Sequence, residues 1–379
     1  MKTVFITCLH LKYGGVEKVI ASLANALTEE GYQIVILCTY YFDEPAYAID
    51  PKVKICYLTS RVPNRDAFYA AIKDRKFFTA LKEGAKAVRT LYLKRQTMKI
   101  AIKKIHGGAV ISTRNEHTVL LSKYGRPDVL KIAQLHSDHH FDPKLVSNFR
   151  HDYKNIDYFV LLTDKTKSEV QKMMQGYNSH TKCVTIPNFV EPCELYGKYQ
   201  KKKQIIAAGR LHPDKNFASL LRIWTKIIQR EPDFCLLIAG EGALESSLKK
   251  QAVDLGVSGS VRFTGALPHK QLLIEMAQSY CYALTSVSES FGLVLVESMM
   301  CGTPPVAYNV RVGPEAIIDD GVNGYLIPEG NEQQFADKVV ELIENHAMRE
   351  KMERNATIKA ATFYKDQVLP KWNAILEKL

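Results

Sequence analysis

Residues 288–309 have the sequence SESFGLVLVESMMCGTPPVAYN, in which three polar residues precede an apolar run that ends at a glycine and two prolines. Serine and acidic residues before an apolar run are typical of a helix N-cap, and a glycine followed by prolines is typical of a helix end. The pattern therefore predicts a helix over 292–301 that stops at Gly302. The polar residues Ser288, Glu289 and Ser290 are expected to cap its first turn.

Two carboxylates lie eight residues apart in this stretch, Glu289 in the predicted loop and Glu297 inside the predicted helix. The N-terminus of a helix has unpaired N–H groups and attracts anions. Carboxylates on both sides of such a terminus suit a ligand that has hydroxyl groups at both ends of a phosphate. An ordinary buried strand–helix unit with two solvated glutamates is the alternative.

The length and composition point to a folded protein of two domains. A chain of 379 residues is too long for one ordinary core. Its 46% of apolar and 24% of charged residues exclude an intrinsically disordered chain. No apolar run approaches the roughly 18 residues of a membrane span. Residues 2–10 are predicted to form a short strand and not a signal peptide.

The cysteines indicate a reducing compartment. None of the eight forms a Cys-x-x-Cys pair, and Cys8, Cys38, Cys235 and Cys281 lie in apolar, strand-like runs. We expect them to be small buried thiols and not ligands or disulfides. A cytoplasmic location is predicted.

The net charge of +11 is concentrated in one segment. Between Lys73 and Lys104 there are eleven basic and two acidic residues, which gives 11 − 2 = +9. Apolar residues recur there at three- and four-residue steps, which predicts one face of an amphipathic helix; they are Phe78, Leu81, Ala85, Val88 and Tyr92. Such a helix either packs on its own domain or meets an anionic membrane or acceptor. Binding to nucleic acid is not expected, because no aromatic–basic recognition motif accompanies the charge.

Strand-like and helix-like segments alternate along both halves of the chain, which predicts parallel sheets with crossover helices. In the first half the predicted strands are Thr3–Cys8, Ile34–Cys38, Val53–Leu58, Ala109–Ser112, Lys131–Leu135 and Tyr158–Leu162. In the second half they are Gln204–Ala208, Phe234–Ala239, Val261–Thr264, Cys281–Leu284, Pro305–Ala307 and Gly324–Ile327. The predicted class is α/β, with two facing Rossmann-like domains whose ligands lie at the carboxyl ends of the strands.

The domain boundaries follow from a polar, proline-containing linker that extends from Ile186 to Lys203. We predict a first domain over 1–190 and a second over 191–359. Residues 360–379 are predicted to form a final helix.

Two cations follow the first strand of the second domain, in the sequence GRLHPDKN of residues 209–216. Arg210 and Lys215 would both lie at the carboxyl end of that strand. Two fixed cations there could neutralise a leaving diphosphate without a metal ion. A solvated turn that happens to contain an arginine and a lysine is the alternative.

Adjacent glycines, Gly14 and Gly15, follow the first strand and precede a helix. Glycines allow a ligand to approach the backbone closely, and the helix N-terminus would attract an anion. A purely structural turn explains them almost as well. The sequence G-x-G-x-x-G is absent here and elsewhere, which argues against a nicotinamide dehydrogenase.

Three histidines lie within five residues after another predicted strand of the first domain: His136, His139 and His140. Such a cluster could suggest a metal, but no glutamate or cysteine partner lies at metal-site spacing. A loop after a strand is the simpler interpretation, and no metal site is predicted. Arg114 also follows a strand and could face an acceptor, although solvation of the loop explains it equally well.

Together these segments resemble the sugar-nucleotide site of retaining glycosyltransferases of family 4 (group 1), which have the GT-B fold. The resemblance implies that Glu289 contacts the donor sugar and Glu297 the ribose hydroxyls. It implies that amides of Phe291, Gly292, Leu293 and Val294 meet the sugar and diphosphate. Arg210 and Lys215 match the GR-x4-K donor-phosphate motif of that family.

The remaining site residues are also implied by the resemblance. Gly14 and Gly15 would border the diphosphate and the acceptor, and His136 would contact the donor sugar and the reacting centre. Gly240 would lie in a loop beside the nucleotide, and the backbone around Leu267 would contact the nucleobase. The final helix would cross back to the first domain.

The implied activity is that of a retaining, metal-independent hexosyltransferase (EC 2.4) without a cofactor. The donor would be a nucleotide-activated hexose or N-acetylhexosamine, most simply a UDP-sugar. The acceptor would be a hydroxyl of a surface glycan, lipid-linked or teichoic-type, at the cytoplasmic face of the membrane. No residue stands out as a covalent nucleophile. A non-catalytic, nucleotide-sugar-binding partner subunit of another glycosyltransferase is the alternative.

Overall fold

The computed structural model describes residues 2–42, 44–60 and 62–379 and divides them into two compact units. Unit 1 contains the chain up to Ile186 together with Lys371–Leu379, and unit 2 contains Pro187–Pro370. The predicted boundary after residue 190 lies four residues beyond the end of the first segment (190 − 186). The C-terminal helix was predicted from residue 360, whereas the chain returns to unit 1 at Lys371.

Unit 1 is built on a parallel sheet of seven strands in the order β3-β2-β1-β4-β5-β6-β7. The strands are β1 Thr3–Cys8, β2 Gln33–Tyr40, β3 Lys54–Thr59, β4 Ala109–Ser112, β5 Leu130–Gln134, β6 Tyr158–Leu161 and β7 Lys182–Thr185. Its helices are α1 Gly15–Glu29, α2 Arg65–Lys73, α3 Phe77–Lys103, α4 Asn115–Tyr124, α5 Pro143–Ser147 and α6 Asp164–Met174. The strand order reverses at β1, which is where ligands bind in open sheets of this type.

Unit 2 repeats this plan with six parallel strands in the order β10-β9-β8-β11-β12-β13. The strands are β8 Gln204–Ala208, β9 Cys235–Ala239, β10 Val261–Gly265, β11 Cys281–Leu284, β12 Pro305–Tyr308 and β13 Tyr325–Ile327. The helices are α7 Phe217–Ile228, α8 Glu245–Asp254, α9 His269–Ala277, α10 Leu293–Met300, α11 Pro314–Ile317, α12 Glu332–Glu344 and α13 His346–Ala361. The last helix, α14, covers Lys365–Leu376.

The central strands are apolar along their whole length because helices cover both faces of each sheet. Every residue of β4, β6, β8 and β11 is buried. In unit 2, α7 packs its apolar face into this core, where Trp224 is completely buried. The two sheets confirm the predicted α/β class with two Rossmann-like domains.

The twelve predicted strands are all present, with bounds that differ from the predictions by at most two residues. The edge strand β7, Lys182–Thr185, was missed because its first residue is exposed, the other three are only partly buried and it has no extended apolar run. Cys8, Cys38 and Cys281 are buried as predicted, whereas Cys235 is only partly buried at the start of its strand.

The predicted cap of α10 is wrong. The helix begins at Leu293, and the capping position is occupied by Gly292, whose φ of 95° is in the left-handed region. No side chain caps the helix through a hydrogen bond. A side chain at Gly292 would be strained in this backbone conformation, which is why a glycine rather than a serine precedes the helix.

The long basic helix packs differently from what its pattern suggested. The buried residues of α3 are Thr90, Met98 and Ile102. The apolar stripe that begins at Phe78 and ends at Tyr92 is instead exposed to solvent. Packing of this stripe on its own domain, one of the two interpretations of the sequence, is therefore excluded.

The C-terminal end of α14 packs within unit 1. Trp372 and Leu376 are buried there. The Nζ atom of Lys2 donates a hydrogen bond to the carbonyl oxygen of Glu377 at 3.1 Å. The last residues of the chain thus complete the first unit.

Candidate functional site

In unit 2, backbone hydrogen bonds join the loops at the carboxyl ends of three neighbouring strands. The N–H groups of Gly209, Leu211 and Gly240 donate to the carbonyl oxygens of Ala239, Glu241 and Gly265 at 2.9, 2.8 and 2.8 Å. A Cβ atom at Gly240 would lie 1.9 Å from the carbonyl oxygen of Gly209, so only glycine fits there. The loops predicted to contact the nucleotide therefore form one fixed surface.

Lys215 and Glu289 meet at this edge. The Nζ atom of Lys215 lies 2.7 Å from Oε2 of Glu289, and the two side chains are 22% and 16% exposed. The contact exists because β8 and β11 are neighbours and their following loops are tied together. The N–H of Val287 donates to the carbonyl of Asp214 at 2.9 Å, and the hydroxyl of Thr285 donates to the carbonyl of Lys215 at 3.2 Å.

Backbone strain is concentrated around this ion pair. Asn216, directly after Lys215, has a φ of 50°. Val312 has a φ of 68° and forms an isolated parallel bridge with Glu289. A β-branched residue in the left-handed region is a real outlier, and such strain is concentrated at functional sites. Sequence analysis missed the contribution of Val312, because no local pattern predicts a left-handed valine.

Glu297 lies inside α10 and is 5% exposed. Its Oε1 atom is 3.0 Å from Nε2 of His269, the first residue of α9. The helix that carries His269 follows the loop that contains Leu267, which is partly buried. His269 was also missed by sequence analysis, because it is 28 residues away from Glu297 and only the tertiary structure joins them.

The two predicted cations have different surroundings. The side chain of Arg210 is 70% exposed, and its guanidinium group lies 3.8 Å from the carboxylate of Asp214. That carboxylate also bonds to Nδ1 of His212 at 2.6 Å. Lys215 is therefore fixed in place by Glu289, whereas Arg210 extends into solvent.

In unit 1, Gly14 and Gly15 form the turn between β1 and α1. The N–H of Gly14 donates to the hydroxyl of Tyr47 at 3.4 Å. A Cβ atom at Gly15 would meet no atom within 4 Å, so space is open at the first residue of the helix. Glu17 is buried beneath the loop, with its carboxylate 3.4 Å from Nδ1 of His10.

His136 follows β5 at the same edge of the sheet. Its Nε2 atom is buried and has no hydrogen-bond partner among the described residues. Burial and, to a smaller extent, the charge of Arg114 together lower the pKa of His136 to about 3. The imidazole is therefore neutral at pH 7. Arg114 follows β4, which lies between β1 and β5 in the sheet.

The other two histidines of this loop bond to acidic side chains. Nε2 of the buried His139 lies 3.0 Å from Oε2 of Glu169, and Nδ1 of His140 lies 3.4 Å from Oδ2 of Asp138. Over residues 2–42, 44–60 and 62–379, no three His, Cys, Asp or Glu side chains are arranged to hold a metal ion. The metal-free character of the site stays a prediction.

Each unit thus brings its own predicted residues to the carboxyl edge of its sheet. Unit 2 joins Lys215 to Glu289 directly and holds Glu297 near the loop after β10. Unit 1 places the glycine turn and His136 at the ends of β1 and β5. The two sheets and these edges define an α/β protein of the doubly wound, Rossmann-like type.

Comparison with known families and relatives shows which proteins this chain is similar to. Residues 194–359 match the family described as "Glycosyl transferases group 1". The chain is 26% identical over 369 residues to an uncharacterized glycosyltransferase of Haemophilus influenzae, covering 96% of both chains. It is 25% identical over 253 residues to the poly(ribitol-phosphate) alpha-N-acetylglucosaminyltransferase of Staphylococcus aureus, covering 64% of this chain and 50% of that protein. For several other curated relatives the chain spans between 41% and 49% of their length.

Solved structures share the fold. A point mutant of S. aureus TarM, in complex with Fondaparinux, alpha-GlcNAc-glycerol and UDP, superposes with a TM-score of 0.79 at 15% identity. The match covers 99% of this chain and 100% of that one. The family match and the shared fold support a glycosyltransferase of group 1. A membrane-spanning helix is not found within the described ranges.

Proposed function

We propose that this protein is a retaining, metal-independent glycosyltransferase that moves a hexose or N-acetylhexosamine from a UDP-sugar to a hydroxyl group of a surface glycan. The observation that supports it most is the pair formed by Lys215 and Glu289, whose Nζ and Oε2 atoms are 2.7 Å apart. This pair lies at the carboxyl edge of the sheet and is followed by the N-terminus of α10. A cation, a carboxylate and helix N–H groups are together suited to a sugar diphosphate.

In the proposed reaction the bond between the anomeric carbon and the diphosphate oxygen breaks. A bond to the acceptor oxygen forms on the same face of the sugar, and the acceptor proton passes to the departing phosphate. Lys215 and Arg210 stabilise the negative charge that develops on the diphosphate, together with N–H groups of residues 291–294. Glu289 binds the hydroxyls of the donor sugar, and Glu297 binds the ribose.

The binding of the donor would loosen the contact between Lys215 and Glu289. A diphosphate within reach of Lys215 competes with Glu289 for the ammonium group, and the sugar hydroxyls then donate to the carboxylate. Because each side chain is at least three-quarters covered, the pair is already held in place before the donor arrives. Preorganised charge of this kind requires little rearrangement during the reaction.

In unit 1, Gly14 and Gly15 would border the diphosphate and the acceptor, and His136 would contact the sugar. A pKa of about 3 keeps His136 neutral at physiological pH. A neutral imidazole can hydrogen-bond to a sugar hydroxyl without adding charge next to the reacting centre. In unit 2, Gly240 and the backbone at Leu267 would contact the nucleotide.

Support for the donor and acceptor comes from similar proteins. UDP is bound in the TarM complex, and the S. aureus relative is named for transfer of N-acetylglucosamine to poly(ribitol-phosphate). We propose a teichoic-type polymer as the acceptor, with transfer at the cytoplasmic face of the membrane. A lipid-linked glycan is the alternative acceptor.

The proposal is tested by measuring nucleotide release from UDP-, GDP-, ADP- and dTDP-sugars, each with EDTA, and with and without bacterial membrane extract. We expect release from one UDP-sugar that persists in EDTA and is lost in Lys215→Ala and Glu289→Ala. The matched controls are Lys203→Ala and Asp233→Ala. Those two residues form an ion pair of the same length, 2.7 Å, at the opposite edge of the same sheet.

Retention would be measured on the isolated product from the anomeric proton coupling, since an α-linked donor must give an α-linked product. Inversion would refute the same-face mechanism and leave the transferase assignment intact. Tight binding of a UDP-sugar without release under any condition would favour the non-catalytic partner subunit. Loss of release in EDTA would refute metal independence.

A further inference from the structure

An apolar stripe on α3 faces solvent. Phe78, Leu81, Val88 and Tyr92 are 91%, 75%, 68% and 63% exposed. At about 100° per residue, these positions and Ala85 occupy an arc of roughly 80° on one side of the helix. Exposed apolar residues that are scattered singly are ordinary, but a continuous row of this length marks an interaction surface.

Exposed apolar residues also lie at the start of α3 and on the preceding helix, α2. Phe77, at the start of α3, is 83% exposed, and Tyr69 and Ile72 of α2 are 54% and 50% exposed. Together with Phe78, Leu81, Val88 and Tyr92 they form what we call the α2–α3 surface. Three aromatic rings of this surface lie within the ten residues 69–78, so its most apolar end is the corner between the two helices.

Basic side chains flank the stripe. Lys82 and Arg89 lie on one side of it along the helix, and Arg95 lies on the other. All three are exposed, and none has an ion pair among the residues that the structure describes. The acidic residue Glu83 faces away, where it bonds to Asn64 and Lys86. An apolar stripe bordered by free cations is typical of a helix that lies in the headgroup region of a bilayer.

We propose that the α2–α3 surface inserts its apolar side chains into the interface of an anionic membrane, with the flanking cations at the lipid phosphates. A second copy of this chain would cover the stripe less well, because the segment from Lys73 to Lys104 carries a charge of +9 and repels its own copy. An anionic lipid surface complements both the charge and the apolar row. The sequence did not decide whether the stripe packs on its own domain or faces solvent. Because the stripe faces solvent, a membrane is the favoured partner.

The inference rests on the proposed function only in its purpose, which is to bring the enzyme to a membrane-linked acceptor. Membrane binding itself can be measured without donor or acceptor. Release of UDP from a UDP-sugar into solution can in turn be measured without a membrane. Failure of one is therefore distinguishable from failure of the other.

The test is sedimentation of the full-length protein with vesicles of phosphatidylcholine alone or mixed equally with phosphatidylglycerol. We expect binding to the anionic vesicles only. A triple variant, Phe78→Ser with Leu81→Ser and Val88→Ser, should weaken it by at least about a hundredfold, because three apolar side chains that would enter the interface are removed. Neutralising Lys82, Arg89 and Arg95 to Gln should also weaken it about a hundredfold, and high salt should reproduce that loss.

A matched control uses exposed apolar residues of unit 2. Val253 and Ile358 are 63% and 68% exposed, and Val253→Ser with Ile358→Ser should leave vesicle binding unchanged. Because all of these side chains are exposed, the variants should unfold at the same temperature as the parent. This comparison separates loss of the surface from loss of the fold.

Insertion is measured directly with Phe78→Trp. The native Trp224 and Trp372 are buried, so a blue shift and quenching by brominated lipids would come from the new indole. Unchanged vesicle binding in the apolar triple variant would overturn the proposal. A stable dimer whose formation depends on Phe78, without any binding to vesicles, would overturn it as well and assign the surface to a second copy.

Discussion

The two units share one architecture, but the side chains at the carboxyl edge of the sheet differ between them. In unit 2 the edge carries charge, with Lys215 paired to Glu289 and Glu297 bonded to His269. In unit 1 two buried histidines lie near this edge, and burial lowers the pKa of His136 to about 3 and that of His117 to about 4, so that both are neutral although Arg114 follows β4 at the same edge. A diphosphate needs fixed positive charge, whereas a sugar hydroxyl can bond to a neutral imidazole as well as to a carboxylate. The difference agrees with the proposal that unit 2 binds the diphosphate and that His136 of unit 1 contacts the sugar.

A second contrast concerns two helices with similar apolar periodicity. The apolar face of α7 is buried, with Leu221, Ile223 and Trp224 at 0% exposure. The apolar stripe of α3 is exposed, with Phe78 at 91%. Periodicity therefore shows that a helix is amphipathic, but the surrounding structure decides which face turns to solvent.

The largest effect is expected for the charged edge. Lys215→Ala should lower the rate of nucleotide release by about a hundredfold to a thousandfold, as expected when a group that stabilises developing charge is removed. His136→Ala should lower it less, because a neutral imidazole contributes a hydrogen bond and not a full charge. Steady-state rates on the preferred UDP-sugar check this. Equal losses of rate in Lys215→Ala and His136→Ala would contradict the contrast between a charged group in unit 2 and a neutral one in unit 1.

The next effect concerns the glycine loops of the two units. Gly240→Ala should destabilise unit 2 by about 3 kcal/mol, because the new Cβ would lie 1.9 Å from the carbonyl oxygen of Gly209 in a backbone conformation with φ of 143°. Gly15→Ala should leave stability unchanged or raise it by about 0.5–1 kcal/mol, because space is open at a helical position. Urea unfolding measures both.

If Gly15 borders the diphosphate, Gly15→Ala should still weaken UDP binding despite its unchanged stability. Gly259→Ala is the control for both variants, since a Cβ there meets no atom within 4 Å. UDP binding that is equal in Gly15→Ala and the parent would remove the glycine turn of unit 1 from the proposed donor site.

A smaller effect is expected on the free energy of unfolding at low pH, and it comes from a buried histidine of unit 1. His117 is buried, its ring nitrogens lie 3.1 and 3.4 Å from the hydroxyls of Thr7 and Thr39, and burial lowers its pKa from 6.5 to about 4. A lowered pKa in the folded state means that its stabilising contribution is complete above pH 6.5 and is lost as the pH falls towards 4. At pH 5 the loss should be about 2 kcal/mol relative to pH 7.

His117→Asn should therefore be less stable than the parent at pH 7 but lose less stability between pH 7 and pH 5. The control is His180→Asn, because the side chain of His180 is 55% exposed. Urea unfolding at both pH values checks the prediction. An unchanged pH slope in His117→Asn would show that His117 is not the buried group that takes up the proton.

The smallest effect is expected for the residue that holds Glu297. His269→Ala should raise the KM for the UDP-sugar about fivefold with little change in kcat, because one hydrogen bond worth about 1 kcal/mol is lost away from the reacting bond. His346→Ala, on the exposed surface of α13, is the control. A fall in kcat with an unchanged KM would place His269 at the reaction and not at the nucleotide.

Much of unit 2 could be predicted from short stretches of sequence. Lys215 and Glu289 each follow a strand, and strands that neighbour one another bring their following loops together. The residues that were missed could not be read from local patterns: His269 bonds to Glu297 from the start of another helix, α9, and Val312 adopts a left-handed conformation that no valine pattern predicts. The edge strand β7 was missed because its partial burial leaves no apolar run.

The sequence by itself determined the alternation of strands and helices, the two parallel sheets and the residue types at their carboxyl edges. It could do so because burial on both faces of a parallel sheet requires continuous apolar runs, and because loops after such strands lie at one edge. Only the tertiary structure decided which groups meet at that edge, which histidines lose their charge and which face of α3 is exposed. Those properties depend on neighbours that are distant in sequence and on the depth at which a group is buried, and local periodicity carries neither.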